Sequence, residues 1–303
     1  VLLAAAPLAE AAQNLSKTAT VAADAAIDVS NVEGRVDVTA WDRNEVELTA
    51  VLESDKDRLE FEATERQVRI KIVRPDDHFH GSDEAILTLK IPKGARISAE
   101  TVSADIIVAG VLGEQHLESV SGEVQTQAYD APVKLSTVSG DGTINGTGGK
   151  VAVTVGSVSG SLAINLAAAE RLNARSISGD IDAHVELLPT ARVEMETVSG
   201  EIKLTMKPPV NAEFDLESFS GHIDKNVGQK ARDKSRYGPG SELNFTQGTD
   251  GARVSINSLS TLLKMESVFN GPVPSGGCVA SVSGTKALLY SPATGATGGS
   301  NFR

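Results

Sequence analysis

Gly122, Gly140, Gly160, Gly179, Gly200 and Gly221 each close the same short phrase, and they recur at intervals of 18, 20, 19, 21 and 21 residues. The phrase begins with Ser or Thr, continues with an apolar residue and a Ser, and then reaches the glycine; Thr101 opens a version with Ala in the glycine's place. A near-constant period of this size is the signature of a repeat architecture, in which each unit buries its apolar face only against its neighbours. A repeat of about 20 residues has room for two or three short strands and their turns. The period therefore predicts an all-β chain, a β-solenoid whose coils stack about 4.8 Å apart. An antiparallel β-sandwich built of hairpins is the rival, and it does not by itself account for so regular a spacing.

The columns of the phrase refine this. Val120, Val138, Val158, Ile177, Val198 and Phe219 stand two residues before the glycines, and Val124, Leu162, Ile181, Ile202 and Ile223 stand two after them in most repeats. Spacing by two is strand spacing, which predicts that both sets point to one face. The glycine between them admits a tight bend where a side chain would clash with the adjoining turn, so the six glycines are expected to be structural turn residues. The hydroxyl columns on either side of the apolar residue are expected to form ladders from coil to coil.

The rest of the chain divides around this array. Residues 1–12, VLLAAAPLAEAA, resemble the back half of a secretory signal peptide, with an Ala-x-Ala pattern at Ala9 to Ala11. Residues 13–26 are a polar, Ala-rich lead-in. Residues 27–98 alternate clearly enough to be a β-rich N-terminal section continuous with the solenoid, beginning with a degenerate coil at Val32-Glu33-Gly34-Arg35-Val36. The single tryptophan, Trp41, is placed to cover the end of the stack. The charged stretch 53–66 fits a short helix or a hairpin edge, and Ala167 to Leu172 fits a brief helical turn. Residues 99–260 hold the solenoid repeats, interrupted by a loop at 226–240, and 261–303 form an irregular tail rich in Gly, Ser, Pro and Thr.

Composition narrows the function. The net charge of −12 lacks the clustered basic footprint a nucleic-acid partner requires. One cysteine, Cys278, rules out a disulfide within the chain, and no stretch after the N-terminus is long and apolar enough for a helical membrane span. Candidate chemistry is sparse. Asp105, Glu123, Asp141, Asp180 and Glu201 follow the glycine position, and stacked carboxylates about 5 Å apart would repel unless solvated or bridged by a hard cation such as calcium. Solvated turn residues are the simpler reading of that column. Asp76, Asp77, His78 and His80 have ligand-like density without the third or fourth partner a transition metal needs. Lys230, Arg232 and Lys234 lie in a basic loop that could meet an anionic envelope polymer. The five histidines show no pairing with a nucleophilic serine, and Gly146 to Lys150 lacks the spacing of a phosphate-binding loop, so neither catalytic residues nor a cofactor are expected.

The repeated Ser-Val-Ser-Gly-Asp/Glu-Ile phrase, with Val32 to Val38 and Trp41-Asp42, resembles the bacterial family of adhesin-like β-strand-repeat proteins over roughly residues 27 to 260. The resemblance implies an exported or envelope-associated β-solenoid without assigned catalytic residues, which binds surfaces or takes part in envelope sensing. Such chains tend to end soon after a last glycine; here Thr261 stands in that place and about 40 residues follow. A periplasmic or secreted, non-enzymatic module that binds an envelope polysaccharide or envelope protein is thus the expectation. Its competitors are a polysaccharide-cleaving enzyme on a β-helix, which would need paired carboxylates in a groove, and a stress-sensing module that docks on a membrane regulator.

Overall fold

The computed structural model describes residues 12–74, 84–220, 222–225, 232–233, 240–248, 251–260, 262–267, 279–281 and 288–290. Among them there is no helix. The N-terminal section contributes β1 (Gln13–Thr20), β2 (Ala26–Asn31), β3 (Gly34–Trp41), β4 (Glu45–Leu52), β5 (Arg58–Ala63), β6 (Gln67–Val73) and β7 (Ala85–Pro92). The repeats contribute β8 (Arg96–Thr101), β9 (Asp105–Ala109), β10 (Gln115–Ser119), β11 (Val124–Ala128), β12 (Val133–Thr137), β13 (Gly142–Gly146) and β14 (Val151–Ser157). Two long strands follow, β15 (Leu162–Ser176) and β16 (Ile181–Ser199), then β17 (Ile202–Met206), β18 (Ala212–Ser218), β19 (His222–Lys225), β20 (Arg232–Asp233), β21 (Ser241–Gln247), β22 (Ala252–Ser260) and β23 (Leu262–Ser267). A separate antiparallel pair, β24 (Val279–Ser281) and β25 (Leu288–Tyr290), completes the described chain.

The expected β-solenoid is what forms. Each coil lays one strand on each of two faces, with the glycine phrase as the corner between them. On the first face the spatial order is β5, β6, β2, β8, β10, β12, β14, the second half of β15, the second half of β16, β22, β18, β21 and β20. On the second it is β1, β4, β7, β3, β9, β11, β13, the first halves of β15 and β16, β17, β23 and β19. The middle of both faces is parallel and in register: Leu117 pairs with Leu135, and Val124 with Gly142. Buried Leu117, Leu135, Val153 and Leu172 of one face meet buried Val124, Ile144, Leu162 and Ile181 of the other. The interior is narrow and aliphatic, which suits a chain that is only 4% aromatic.

At both ends the chain doubles back, so spatial order departs from sequence order. The β6/β7 coil lies outside the β2/β3 coil that precedes it in sequence. At the far end the β22/β23 coil is inserted between β16/β17 and the earlier β18/β19 coil. Antiparallel strands then finish the stack: β5 on β6 and β1 on β4 at one end, β21 on β18 at the other. They cover edges that would otherwise offer a template for another chain. At the second cap Phe214 stacks on Phe245 with ring centroids 4.7 Å apart.

Several expectations are corrected here. Trp41 does not close the stack; it lies half-buried beside an inner strand pair, donating its indole N–H to the Glu45 carbonyl at 2.8 Å. Ala167 to Leu172 is strand, with a register shift that lets β15 turn from one face to the other. The stretch 53–66 supplies the hairpin edge β5. The lead-in 13–26 holds β1, and the solenoid extends past residue 260 through β23, whose Leu263 and Met265 are buried.

The glycines are required by close approach. A Cβ placed on Gly122, Gly140, Gly160 or Gly179 would lie 2.0, 2.0, 1.9 and 2.0 Å from the carbonyl oxygen of the corner residue one coil earlier. Any side chain there forces coils apart. Gly156, on an outward strand position, faces open space: a Cβ there would meet no atom within 4 Å. Gly160→Ala is therefore expected to cost about 2–3 kcal/mol, while Gly156→Ala should be neutral or gain about 0.5 kcal/mol by stiffening the strand. Paired denaturant unfolding curves check this, and equal stability of the two variants would contradict it.

Candidate functional site

The corner inverts the sequence pattern on either side of it. Ser119, Thr137, Ser157, Ser176, Thr197 and Ser218 are buried, whereas the apolar residues that follow them stand out in solvent. Val120, Val138, Val158, Ile177, Val198 and Phe219 do not share a face with Val124, Leu162, Ile181, Ile202 and Ile223, which are buried. Period-two alternation holds only along a straight strand, and the chain bends between the two sets, so the outward apolar residue and the inward one belong to different strands of the coil.

The corner hydroxyls also act differently from a ladder. Ser119 Oγ accepts the Gly122 amide at 2.9 Å and Ser176 Oγ the Gly179 amide at 2.8 Å, while Thr101 and Thr137 donate to the carbonyls of Ala104 and Gly140 at 2.8 Å. They close their own corner. The bonds between coils are made by backbone: the amides of Ser121, Ser139, Ser159, Ser178 and Ser199 donate to the carbonyls of Val102, Val120, Val138, Val158 and Ile177 at 2.7 to 2.8 Å. The same pattern brings Ser220 to Leu259 at 2.9 Å.

Because that ladder runs through the apolar position itself, the exposed side chains are stacked in register. In spatial order they are Val32, Val102, Val120, Val138, Val158, Ile177, Val198, Leu259 and Phe219, each 36% to 54% exposed. Nine apolar residues thus form a continuous ridge of roughly 38 Å at one strand spacing per coil. A monomer has no folding reason to keep such a stripe, and contiguous exposed apolar surface marks interaction sites.

Along its C-terminal half the ridge walls a groove of about 900 Å³. Val158, Ile177, Val198, Leu259 and Phe219 form one side; the outward positions Ser136, Gly156, Arg175, Glu196, Asn257 and Glu217 of the first face form the other. Small residues at Ser136 and Gly156 leave the space open. Two residues of the wall, Ser157 and Ser258, are 7% and 8% exposed, and their hydroxyl oxygens are buried with no hydrogen-bond partner among the described residues.

Carboxylates border the ridge. On one flank stand Asp105, Glu123, Asp141, Asp180 and Glu201, the column singled out from sequence. Asp105, Asp141 and Asp180 accept the backbone amides of Glu123, Ser161 and Glu201 at 2.7 to 2.8 Å, pinning each coil to the next, and Glu201 pairs with Lys264 at 2.7 Å. That ion pair raises the Lys264 pKa, its hydrogen bond to Glu201 being the largest cause. No group of three or more His, Cys, Asp or Glu side chains among the described residues converges on a cation position. On the other flank stand Glu100, Glu118, Glu196 and Glu217, with Glu196 held by Arg175 at 3.2 Å.

Of the other sequence-derived candidates, Gly122, Gly140, Gly160, Gly179 and Gly200 all fall at the corner. Gly221, Lys230, Lys234 and the Asp76 to His80 cluster lie outside the described residues, as does the side chain of Arg232. The ridge and groove were not among those candidates. The signal for them was the unbroken Ser/Thr column, since a hydroxyl repeated at the same place in every coil marks a corner whose neighbour is turned outward.

Glu118 gives a titration check on the flank. Its carboxyl is held below the usual glutamate range first by the hydrogen bond to His116 and then, against desolvation, by Lys134. A depressed folded-state pKa means stability that is present above the unfolded value and lost as pH falls through the folded one. Carboxyl-resolved NMR titration should find Glu118 below the ordinary glutamate value, and His116→Ala should return it toward that value. No movement in that variant would contradict the assignment.

No curated protein sequence matches the chain. Solved structures resemble it in fold: a "putative adhesin" from Bacteroides fragilis is 13% identical, covers 83% of this chain and 97% of its own, and superposes with a TM-score of 0.50. A "putative adhesin" from Parabacteroides merdae is 12% identical over 85% and 97% of the two chains with a TM-score of 0.35. A "putative lipid binding protein" from Parabacteroides distasonis is 11% identical over 84% and 97% with a TM-score of 0.37. Residues 24–260 match one family model over most of the solenoid, and the chain belongs to the Toastrack DUF4097 family.

Proposed function

We propose that this protein is a non-enzymatic, adhesin-like module of the bacterial cell envelope, exported to the periplasm or beyond, that holds an envelope polymer or envelope protein along its ridge. The observation that carries this is the exposed nine-residue apolar column, kept in line by backbone bonds from coil to coil. A solenoid corner is well suited to that task. Its side chains are fixed to a rigid stack, so ordering the surface costs little when a partner arrives. The name of the Bacteroides fragilis neighbour agrees with the reading.

Polysaccharide cleavage has no comparable support. It needs two carboxylates positioned across a groove, and of the groove acids Glu196 is already committed to Arg175. The flank acids Asp105, Asp141 and Asp180 are committed to backbone amides. The sensing role keeps one specific observation in its favour: an aliphatic groove suits contact with a protein better than with a sugar chain, whose usual apolar platform is an aromatic ring.

The test is retention of purified protein on isolated bacterial envelope fragments. Ile177→Asp combined with Val198→Asp alters two exposed side chains and should leave the melting temperature unchanged within about 2 °C, yet reduce retention at least about tenfold, the loss expected when two apolar contacts no longer bury. Retention equal to the unaltered protein would overturn the reading.

A further inference from the structure

The ridge and groove have a charge environment as well as an apolar one, and the two together define what fits. Nine carboxylates border the ridge: Asp105, Glu123, Asp141, Asp180 and Glu201 on one side, Glu100, Glu118, Glu196 and Glu217 on the other. Glu201 pairs with Lys264, Glu118 with Lys134 and Glu196 with Arg175. The surface is thus an apolar strip with a mainly acidic column on one margin and, on the other, glutamates interspersed with Ser136, Gly156, Arg175 and Asn257, on a chain whose net charge is −12.

Resting on the ridge as the binding surface, we infer that its occupant is a polypeptide segment of a partner protein with apolar residues bordered by Lys or Arg. The apolar residues lie along Val158, Ile177, Val198, Leu259 and Phe219, and the basic side chains reach the carboxylates on both margins. Complementary charge steers such a segment to the strip and rejects like-charged competitors. It disfavours a second copy of this chain, which would bring acid against acid, and an anionic lipid surface, whose head groups would meet the same margins. The groove is open along its length, so an extended segment can lie in it.

The experiment uses the whole chain and three fluorescent synthetic octapeptides, alternating Leu/Lys, Leu/Glu and Ser/Lys, followed by anisotropy at about 0.15 M salt, where exposed charges more than about 8 Å apart are screened. The Leu/Lys peptide should bind at least about tenfold tighter than either of the others, since both the apolar and the charged half of the strip are then engaged. Ile177→Asp combined with Phe219→Asp should weaken it at least about tenfold even though it adds two acids, because the apolar contact is lost. Leu112→Asp, at an exposed apolar residue in the opposite turn, should leave binding unchanged. Gly156→Gln, which projects into open space, should weaken binding by filling the groove. Equal binding of Leu/Lys and Leu/Glu, or of Leu/Lys and Ser/Lys, would overturn the inference, as would indifference to the ridge variant. Ridge-dependent dimerisation, or ridge-dependent binding to vesicles of anionic phospholipid in place of the peptide, would also overturn it. If envelope retention depends on the ridge while the peptides fail, only the partner's chemistry is wrong; if retention is ridge-independent, the function itself falls.

Discussion

Everything in this molecule depends on how closely one corner sits on the next. The carbonyls of Gly122, Gly140 and Gly160 occupy the place that a side chain on the following glycine would need, at about 2 Å. That contact fixes the coil spacing at the corner, and the amide-to-carbonyl bonds running through the neighbouring Ser and Val positions hold it. Once those are set, the side chains have little choice. The Ser or Thr turns inward, where Thr101, Ser119, Thr137 and Ser176 satisfy their own corners, the glycine lies against its predecessor, and the apolar residue between them is driven outward.

An apolar residue exposed in one coil is unremarkable, since much of any folded surface is apolar. Nine in a line are different, because stacking converts single exposures into one strip. The same stacking lines up the residue after the glycine, so a strip that is apolar at its crest carries acids along much of that margin, Ser161 and His222 standing among them. The acids have a structural task as well. A carboxylate accepting an amide from the next coil adds a charge-assisted bond at each corner where Asp occurs. Structure and recognition therefore draw on the same repeat, and neither column changes without touching the other.

Much of the fold was legible in the sequence. The glycine interval implied stacked coils, and Val32 to Val36 marked the first of them. What the residues did not reveal was direction. Val120 and Val124 each stand two residues from Gly122, an even spacing that on a straight strand puts both on one face, and only the bend at Ser121-Gly122 separates them. The insertion of β22/β23 between β16/β17 and β18/β19 was equally invisible, because a repeat phrase specifies what it stacks on but not which copy it stacks on. The end caps were missed for a related reason. Trp41 is the largest side chain available to cover an end, yet coverage comes from antiparallel backbone pairing and, at one end, from Phe214 against Phe245. The groove followed from small side chains, Gly156 and Ser136, at positions where the sequence showed only ordinary strand residues.

The central claim is that the ridge residues stand one coil apart in the order Val120, Val138, Val158, Ile177, Val198, Leu259, Phe219. Pulsed electron-electron spin resonance on a Cys278→Ser background, with one label at Val120 and a second in turn at Val198, Leu259 or Phe219, measures it directly. Separations of about 19, 24 and 29 Å, rising by one strand spacing at each step, are what stacked corners predict. A label at Phe219 that lies nearer to Val120 than one at Leu259, or separations that do not rise in this order, would contradict it.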